Sequence, residues 1–238
     1  MSRLILTLKS KEEMDYSYFD KYHFLSSIYS IIDQKAFPEF HNSNDFRFFS
    51  FSDFFPGGNL TPEDVKKVII SSPDDEFIKL LYEKLSERNY LYLEDKVVDV
   101  TQISRFDVNE FVKDFTTGSP VVLYKDNKKN IYFSLRNGDN LSFFLERLKD
   151  NAIKKYRQFY NDENFEMDGF IFDTLKFRKE VRVQLKKRGQ LFYFIGTMWY
   201  SMKKIRIKRD YIPFYRFIMD CGIGEKNALG FGFLNPRS

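Results

Sequence analysis

The sequence predicts an α+β protein built from two tandem β-α-β-β-α-β units. Segments with apolar residues at every second position, typical of strands, alternate with longer segments whose apolar residues recur every three or four positions, typical of helices. This order of elements fills residues 1–116 and is repeated, less regularly, in residues 117–238. The boundary is predicted near Thr116–Ser119. It depends on element order alone, because the halves share no repeated sequence.

The sequence of the first half predicts a strand, a helix, two strands, a helix and a strand, which is the order of the ferredoxin-like fold. Phe24, Leu25 and Ile28 belong to the apolar stripe of the first helix, predicted at 20–37. The second helix opens with the acidic run Asp74–Glu76, because negative charge is favourable at a helix N-terminus. The predicted strands are residues 3–10, 46–52, 65–71 and 90–100.

The second half contains a long hairpin with one basic face. Its two strands flank a turn at Lys187–Gln190. Arg182, Gln184 and Lys186 alternate with apolar residues along the first of these strands, so they point to the same side of the sheet. The predicted strands are residues 120–125, 131–135, 171–185, 191–208 and 229–234, and the predicted helices are residues 141–160 and 211–221.

Positive charge is concentrated in the second half of the chain. Residues 1–120 carry a net charge of −7, and residues 121–238 a net charge of +11. The segment Lys176–Arg209 holds 12 Lys and Arg residues and a single acid, Glu180. This asymmetry indicates a polyanion partner, and a solvated basic face is the alternative.

Composition excludes several classes of protein. One cysteine, Cys221, cannot form an intrachain disulfide and fits a reducing interior. The longest apolar run, Leu191–Ile195, is far shorter than a membrane span, and no targeting segment is recognisable. We therefore expect a cytoplasmic protein without a membrane partner. Two histidines and one cysteine without zinc-ligand spacing predict no metal site, and we expect no cofactor.

Residues 222–232, the glycine-rich segment, hold four of the 11 glycines of the chain. Glycine at this density indicates that the backbone approaches another group closely or adopts positive φ. The segment matches neither a Walker loop nor a dinucleotide-binding fingerprint, since no Lys-Ser/Thr pair and no following helix are present. Contact with phosphate groups and closure of the C-terminal sheet both remain open. The four are Gly222, Gly224, Gly230 and Gly232.

The sequence GIGEKNALGFGF (residues 222–233) resembles the C-terminal glycine-rich loop of the RAMP (repeat-associated mysterious protein) superfamily. In particular, it resembles that of the CRISPR-associated endoribonucleases of the sixth Cas family, which cut precursor CRISPR RNA within each repeat. SIYSII (27–32) and FHNSNDFRFFSFS (40–52) resemble the catalytic helix of that family and the segment after it. The resemblance implies tandem ferredoxin-like domains that bind RNA.

The resemblance also implies three catalytic residues. Archaeal members use a tyrosine on the first helix, a histidine after it and a lysine before the second strand, and these positions fall on Tyr29, His41 and Arg47. Arg47 departs from the family lysine: it keeps the positive charge, but its high pKa prevents it from donating a proton. His23, the other histidine, is the alternative to His41. The implied reaction is metal-independent attack of a ribose 2′-OH on its own 3′-phosphate.

The RNA surface is predicted from charge and resemblance together. Exposed aromatic residues among Tyr193, Trp199 and Tyr200 could stack on bases. The residues predicted to contact RNA are Arg182, Lys186, Lys204, Arg206, Lys208, Gly222, Gly224, Lys226, Gly230 and Gly232.

The expected partner is CRISPR repeat RNA, and a multisubunit CRISPR interference complex and a homodimer stay open as further partners. Two alternatives to a repeat endoribonuclease also stay open. One is a RAMP-family subunit of an interference complex that binds CRISPR RNA without cutting it. The other is a general RNA-binding module without preference for the repeat.

Overall fold

The first half of the chain forms a five-stranded antiparallel sheet with two helices. The computed structural model describes residues 2–32, 46–108, 112–187 and 189–237. The elements are β1 Ser2–Lys9, α1 Lys21–Ile31, β2 Ser50–Phe51, β3 Lys66–Ser71, α2 Asp75–Arg88, β4 Tyr90–Leu93 and β5 Lys96–Asp107. The strand order in the sheet is β2-β3-β1-β5-β4.

The second half forms a four-stranded antiparallel sheet and a separate two-stranded sheet. The elements are β6 Asp114–Thr117, β7 Tyr124–Asp126, β8 Ile131–Tyr132, α3 Leu141–Tyr160, β9 Thr174–Lys187, β10 Gln190–Lys203, α4 Ile212–Cys221 and β11 Leu234–Pro236. The larger sheet has the order β11-β6-β10-β9, and β7 and β8 form the smaller one. The predicted α+β fold class is confirmed.

Strand β1 lies at the centre of the first sheet, and this position explains why its sequence has leucine at every second position. Leu4, Leu6 and Leu8 are fully buried in one core cluster with residues of α1 and α2. Asp74 caps α2 by accepting hydrogen bonds from the amides of Glu76 and Phe77, so the acidic run opens the helix as predicted.

Two predicted elements of the first half differ in the structure. The segment predicted as one strand at 90–100 is the hairpin β4–β5, because Glu94 takes a left-handed conformation (φ 59°) and turns the chain. The strand predicted at 46–52 is confined to β2, which pairs only at its two residues with β3. The predicted first helix ends at Ile31 as α1, and residues 33–45 lie outside the described ranges.

The predicted strands of the second half are also shorter or displaced, and for β10 and β11 the structure shows the reason. β10 ends at Lys203 because the chain turns away there: the Ile205 amide donates to Asp173 Oδ2 at 2.8 Å. The final strand, β11, begins only at Leu234, because positive φ at Gly230 and Gly232 interrupts an extended conformation before it.

Strand β6 was not among the predicted elements. It pairs with β10 and β11, and so belongs to the second sheet. The predicted division after residue 116 therefore falls inside β6, and the pairing places the change of sheet between Asp107 and Asp114. The division into domains 1–116 and 117–238 stays a prediction.

A buried ion pair joins the two halves. Arg3 of β1 donates from Nε to Asp220 Oδ1 at 3.1 Å, and its two terminal nitrogens donate to the carbonyls of Met219 and Leu234. Both charged side chains are almost completely buried. Burial raises the pKa of Asp220 to about 6, although Arg3 opposes this shift.

Within the described ranges, every helix is too short or too polar to span a lipid bilayer.

Candidate RNA-binding and catalytic cleft

A cleft of about 1020 Å³ lies between the two halves of the molecule. Helices α1 and α3, the adjoining ends of β9 and β10, and the glycine-rich segment contribute to its walls. Among its described lining residues Glu225 is the only carboxylate, so the wall is strongly positive. A wall of this charge suits a polyanion such as an RNA backbone. The cationic lining residues are Arg47, Arg147, Lys154, Lys155, Lys187 and Lys226.

Two of the predicted catalytic residues contact each other, and one of them, Arg47, lines this cleft, whereas Tyr29 is not among the described lining residues. The guanidinium carbon of Arg47 is 5.6 Å from the centre of the Tyr29 ring. Burial raises the pKa of Tyr29 to about 12, and the charge of Arg47 only partly offsets this shift. Tyr29 is therefore a neutral phenol near pH 7, which suits orienting a hydroxyl by hydrogen bonding rather than removing its proton.

Of the two histidines, only His23 is among the residues that the structure describes. His41 lies outside the described residues, so its catalytic role stays a prediction. His23 is buried, and its Nε2 atom is 4.0 Å from Glu94 Oε2. It lines a second, smaller cavity of about 610 Å³ and is not among the residues that line the cleft. This placement separates His23 from the wall that carries Arg47.

One face of α3 supplies cleft residues that the sequence analysis missed. Arg147, Asn151, Lys154 and Lys155 line the cleft at helical spacing of four, seven and eight positions. Arg147 also donates from a terminal nitrogen to Glu225 Oε1 at 3.1 Å, joining α3 to the glycine-rich segment. The signal was present in the sequence, because this polar stripe recurs with the period of the predicted helix.

The glycine-rich segment packs against its own protein. All four glycines are buried and adopt positive φ. A Cβ atom on Gly230 would lie 2.2 Å from the Phe51 ring, and one on Gly232 would lie 1.8 Å from the Ile223 carbonyl oxygen. The two distances explain why these positions need glycine. Burial favours the internal role, so RNA contact by these four glycines stays a prediction that their position does not support.

Comparison with known proteins identifies the family. Residues 107–236, more than half of the chain, match the family model described as CRISPR associated protein Cas6, C-terminal. The chain belongs to the Cas6 family. It is 42% identical to CRISPR-associated endoribonuclease Cas6 2 of Methanocaldococcus jannaschii, over 98% of this chain and 99% of the relative. It is 30% identical to CRISPR-associated endoribonuclease Cas6 1 of the same organism, over 98% and 91% of the two chains.

Solved structures confirm the tandem ferredoxin-like fold of this Cas6-family chain. A structure titled "CRISPR associated protein Cas6" superposes with a TM-score of 0.73 at 24% identity, covering both chains completely. A second, titled "An RAMP protein binding different RNA substrates", has a TM-score of 0.69 at 19% identity and also covers both chains completely. These similarities bear on the fold alone.

The predicted RNA-binding cations of this Cas6-family protein do not form one surface. Lys226 is exposed at the cleft, whereas Arg182 and Lys186 line the smaller cavity. Beyond the far end of β10, Lys204 and Lys208 form ion pairs with neighbouring aspartates at 2.7 and 2.6 Å. Arg206 is exposed in the same stretch, where a strand had been expected. RNA contact at each of these positions stays a prediction.

The three aromatic residues proposed for base stacking also divide. Trp199 is buried, and its indole nitrogen donates to Thr197 Oγ1 at 3.0 Å, so it does not meet the condition of exposure under which stacking was predicted. Tyr193 and Tyr200 are 40% and 50% exposed. Tyr193 lines the cleft, and the guanidinium carbon of Arg182 lies 3.9 Å from the centre of its ring.

Proposed function

We propose that this protein is a metal-independent endoribonuclease that cleaves precursor CRISPR RNA within the repeat. The two relatives named CRISPR-associated endoribonucleases, at 42% and 30% identity over nearly the whole chain, support the activity class. The repeat RNA is the proposed partner, and the cytoplasm is the proposed location. Transfer of the product to a multisubunit interference complex and homodimerisation are subordinate hypotheses.

The observation that carries the proposal is the charge of the cleft around Arg47. Six cationic side chains and one carboxylate are among its described lining residues, and Arg47, one of the six, contacts the ring of Tyr29. Backbone phosphates would supply the missing negative charge, because phosphate neutralisation by Lys and Arg dominates RNA binding. Tyr132 and Tyr193 line the same cleft, are at least partly exposed and offer ring faces to unpaired bases, whereas Tyr124 is buried.

The proposed step is an internal transesterification. The ribose 2′-oxygen forms a bond to the adjacent phosphorus while the bond from phosphorus to the 5′-oxygen breaks. The products are a 2′,3′-cyclic phosphate and a 5′-hydroxyl. One proton leaves the 2′-OH and one reaches the departing 5′-oxygen, so the reaction is balanced without an added reactant.

The described side chains suit two of the required roles. Tyr29 would orient the 2′-OH as a neutral phenol, and Arg47 would stabilise the charge that develops on the phosphorane. His41 is proposed as the group that transfers protons, because imidazole titrates near neutral pH. Arg47 cannot replace the proton-donating ability of the family lysine, so its proposed role is electrostatic only.

Cleavage of a labelled repeat RNA in EDTA tests the proposal. A matched RNA carries a 2′-deoxy sugar at the mapped cut, and the two histidines provide matched variants, His41→Gln and His23→Gln. We expect one discrete cut in EDTA that the deoxy sugar abolishes. His41→Gln should slow it by about 10²–10⁴-fold with RNA affinity retained. His23→Gln should cleave at close to the wild-type rate.

Each other outcome has a definite meaning. Tight binding of intact RNA without cleavage would favour the non-cutting RNA-binding subunit. A cut that requires a divalent ion would contradict the metal-independent mechanism. Loss of cleavage in His23→Gln but not in His41→Gln would reverse the histidine assignment. Light scattering of the free protein and of its RNA complex would determine whether a homodimer forms.

A further inference from the structure

Lys155 is a buried lysine of α3 whose hydrogen bonds all go to the glycine-rich segment. Its side chain is only 2% exposed. The ammonium nitrogen donates to the carbonyl of Gly222 at 2.8 Å, the carbonyl of Gly224 at 3.2 Å and Asn227 Oδ1 at 2.6 Å. A lysine ammonium has three hydrogens to donate, so three acceptors use its full capacity.

Asn227 extends this network across the segment. Its amide nitrogen donates to the carbonyls of Ile223 and Phe231, each at 2.9 Å. Lys155 and Asn227 together therefore satisfy four backbone carbonyls of the segment. Two of these carbonyls belong to positive-φ glycines, and the segment has no regular ladder of its own to satisfy them. Buried carbonyls without donors would be costly, so the two side chains hold this conformation together.

Lys155 has no direct ion-pair partner in the part of the chain that the structure describes. Its ammonium group donates to two carbonyls and an amide oxygen, and the nearby carboxylate of Glu225, which is paired with Arg147, stabilises its charge only from a distance. Burial lowers the pKa of Lys155, as expected for a cation removed from water. A well-packed apolar side chain would avoid this desolvation cost. Lys155 lines the RNA cleft, so its position points to a function there.

The conformation that Lys155 holds determines where Lys226 lies. Lys226 immediately precedes Asn227, adopts a left-handed conformation (φ 60°) and is exposed at the cleft. Its ammonium group lies 5.8 Å from the centre of the Tyr124 ring. On the other side of Lys226, Glu225 is held by Arg147. The two residues that flank Lys226 are therefore both held by hydrogen bonds, Glu225 to Arg147 and Asn227 to Lys155, and Lys226 projects from between them.

We propose that Lys155 is a positioning residue of the cleft, which holds the glycine-rich segment in the conformation that presents Lys226 to RNA. This inference rests on the proposed function, because it requires RNA in the cleft. Lys154 is the matched control: it is the adjacent residue, it lines the same cleft, and it is exposed. Lys154→Met removes the same charge without removing the buried network.

Amide hydrogen exchange of the free protein tests the first part of the proposal without RNA. In Lys155→Met, amides of the segment such as those of Ile223 and Gly232 should exchange at least tenfold faster than in the wild type. Both are hydrogen-bonded in the structure. Lys154→Met should leave their exchange unchanged. Equal protection in the wild type and Lys155→Met would overturn the proposal. If Lys155→Met does not fold, Lys155→Gln takes its place in both experiments; its shorter side chain has two donors instead of three, so exchange should still be at least about threefold faster than in the wild type, and equal protection would overturn the proposal.

A double-mutant cycle on affinity for a non-cleavable 2′-deoxy repeat RNA tests the second part, at a temperature where every variant is folded. Lys226→Ala should weaken binding several-fold in the wild type and in Lys154→Met, but less than twofold in Lys155→Met. Additive effects of Lys155→Met and Lys226→Ala would overturn the positioning role, since a purely structural contribution would not depend on Lys226.

The two experiments separate this inference from the proposed function. A wild-type protein that does not bind repeat RNA would overturn the proposed function and the RNA part of the inference together. Exchange data would then decide only whether Lys155 holds the segment. A wild type that binds and cuts RNA, with segment protection unchanged in Lys155→Met, would overturn the inference alone.

Discussion

The glycine-rich segment and the β9–β10 hairpin were both predicted to contact RNA, but they differ in their exposure to solvent. The segment is mostly buried, with its glycines packed on Phe51, Val122 and Ile223. The hairpin is largely exposed and carries its cations on the surface. The comparison shows that clustered glycine signals a close approach without identifying the approaching group. Clustered charge is the more direct indication of exposed surface.

The cationic side chains that donate hydrogen bonds to the glycine-rich segment and its flanks belong to distant parts of the chain. Lys155 of α3 binds its interior, and Arg3 of β1 binds both of its flanks at Met219, Asp220 and Leu234. Both of these cations are buried, whereas the hairpin cations face solvent. The same residue types therefore have a structural role at one site and a proposed binding role at the other.

The largest expected effect comes from removing the anchor of the segment flanks. Arg3→Met leaves the Asp220 carboxylate buried without its cation and should lower the free energy of unfolding by about 3–5 kcal/mol. Lys84→Met, which removes an exposed ion pair with Glu87, should change it by less than about 1 kcal/mol. Chemical denaturation of the variants measures both values. Equal effects would show that the segment does not depend on Arg3.

A smaller loss of stability should follow from adding one methyl group inside the segment. Gly230→Ala combines positive φ with a clash against Phe51 and should cost about 2–4 kcal/mol. Gly138→Ala is the control, because Gly138 also has positive φ but open space around it, and it should cost about 1 kcal/mol. If denaturation shows equal losses, the segment is less closely packed than its geometry indicates.

The pH dependence of stability should differ between the buried and exposed regions. The pKa of Asp220 is about 6 in the folded protein and about 4 when unfolded, so the folded state binds more protons between these values. Its contribution to stability should therefore fall, by on the order of 2 kcal/mol, as pH rises from about 4 to about 6.

Thermal unfolding of the wild type and Asp220→Asn across this pH range checks the sign. The wild type should lose stability relative to Asp220→Asn as pH rises. Asp168 gives the opposite sign, because hydrogen bonding and charge from Lys208 lower its pKa, and its contribution is lost as pH falls. An Asp220 contribution that instead grows with pH would contradict the role of burial.

The smallest effect on stability is expected at the hairpin, where the effect appears in RNA binding instead. Lys187 lines the cleft and is exposed. Lys187→Ala should therefore weaken the binding of repeat RNA several-fold and reduce the slope of log affinity against log salt concentration by about one. If RNA is confined to the cleft, Lys208→Ala should weaken binding less than twofold, because Lys208 is not among the cleft residues and is paired with Asp168; a larger loss would support the predicted RNA contact by Lys208.

Fluorescence anisotropy at several salt concentrations measures both variants. Each should keep its free energy of unfolding within about 0.5 kcal/mol of the wild type. Equal loss of affinity in the two variants would show that RNA extends beyond the cleft to the stretch that follows β10.

Local patterns predicted much of the fold. Helix α3 covers Leu141–Tyr160 as its periodicity indicated, and Asp74 caps α2 where acidic residues predicted a helix start. The alternation of β1 and the basic strand of the hairpin were also evident. Such patterns are readable because the periods of helices and strands are set by backbone geometry within a few residues.

The candidate site was less predictable because it depends on contacts between distant residues. Lys155 and Asn227 are 72 positions apart, and Arg3 and Asp220 are 217 apart. No local period distinguishes Lys155, which is buried, from Lys154, which is exposed. Packing of α3 on the glycine-rich segment makes that distinction, because only the assembled fold brings the carbonyls of Gly222 and Gly224 to one ammonium group and removes both sides from water.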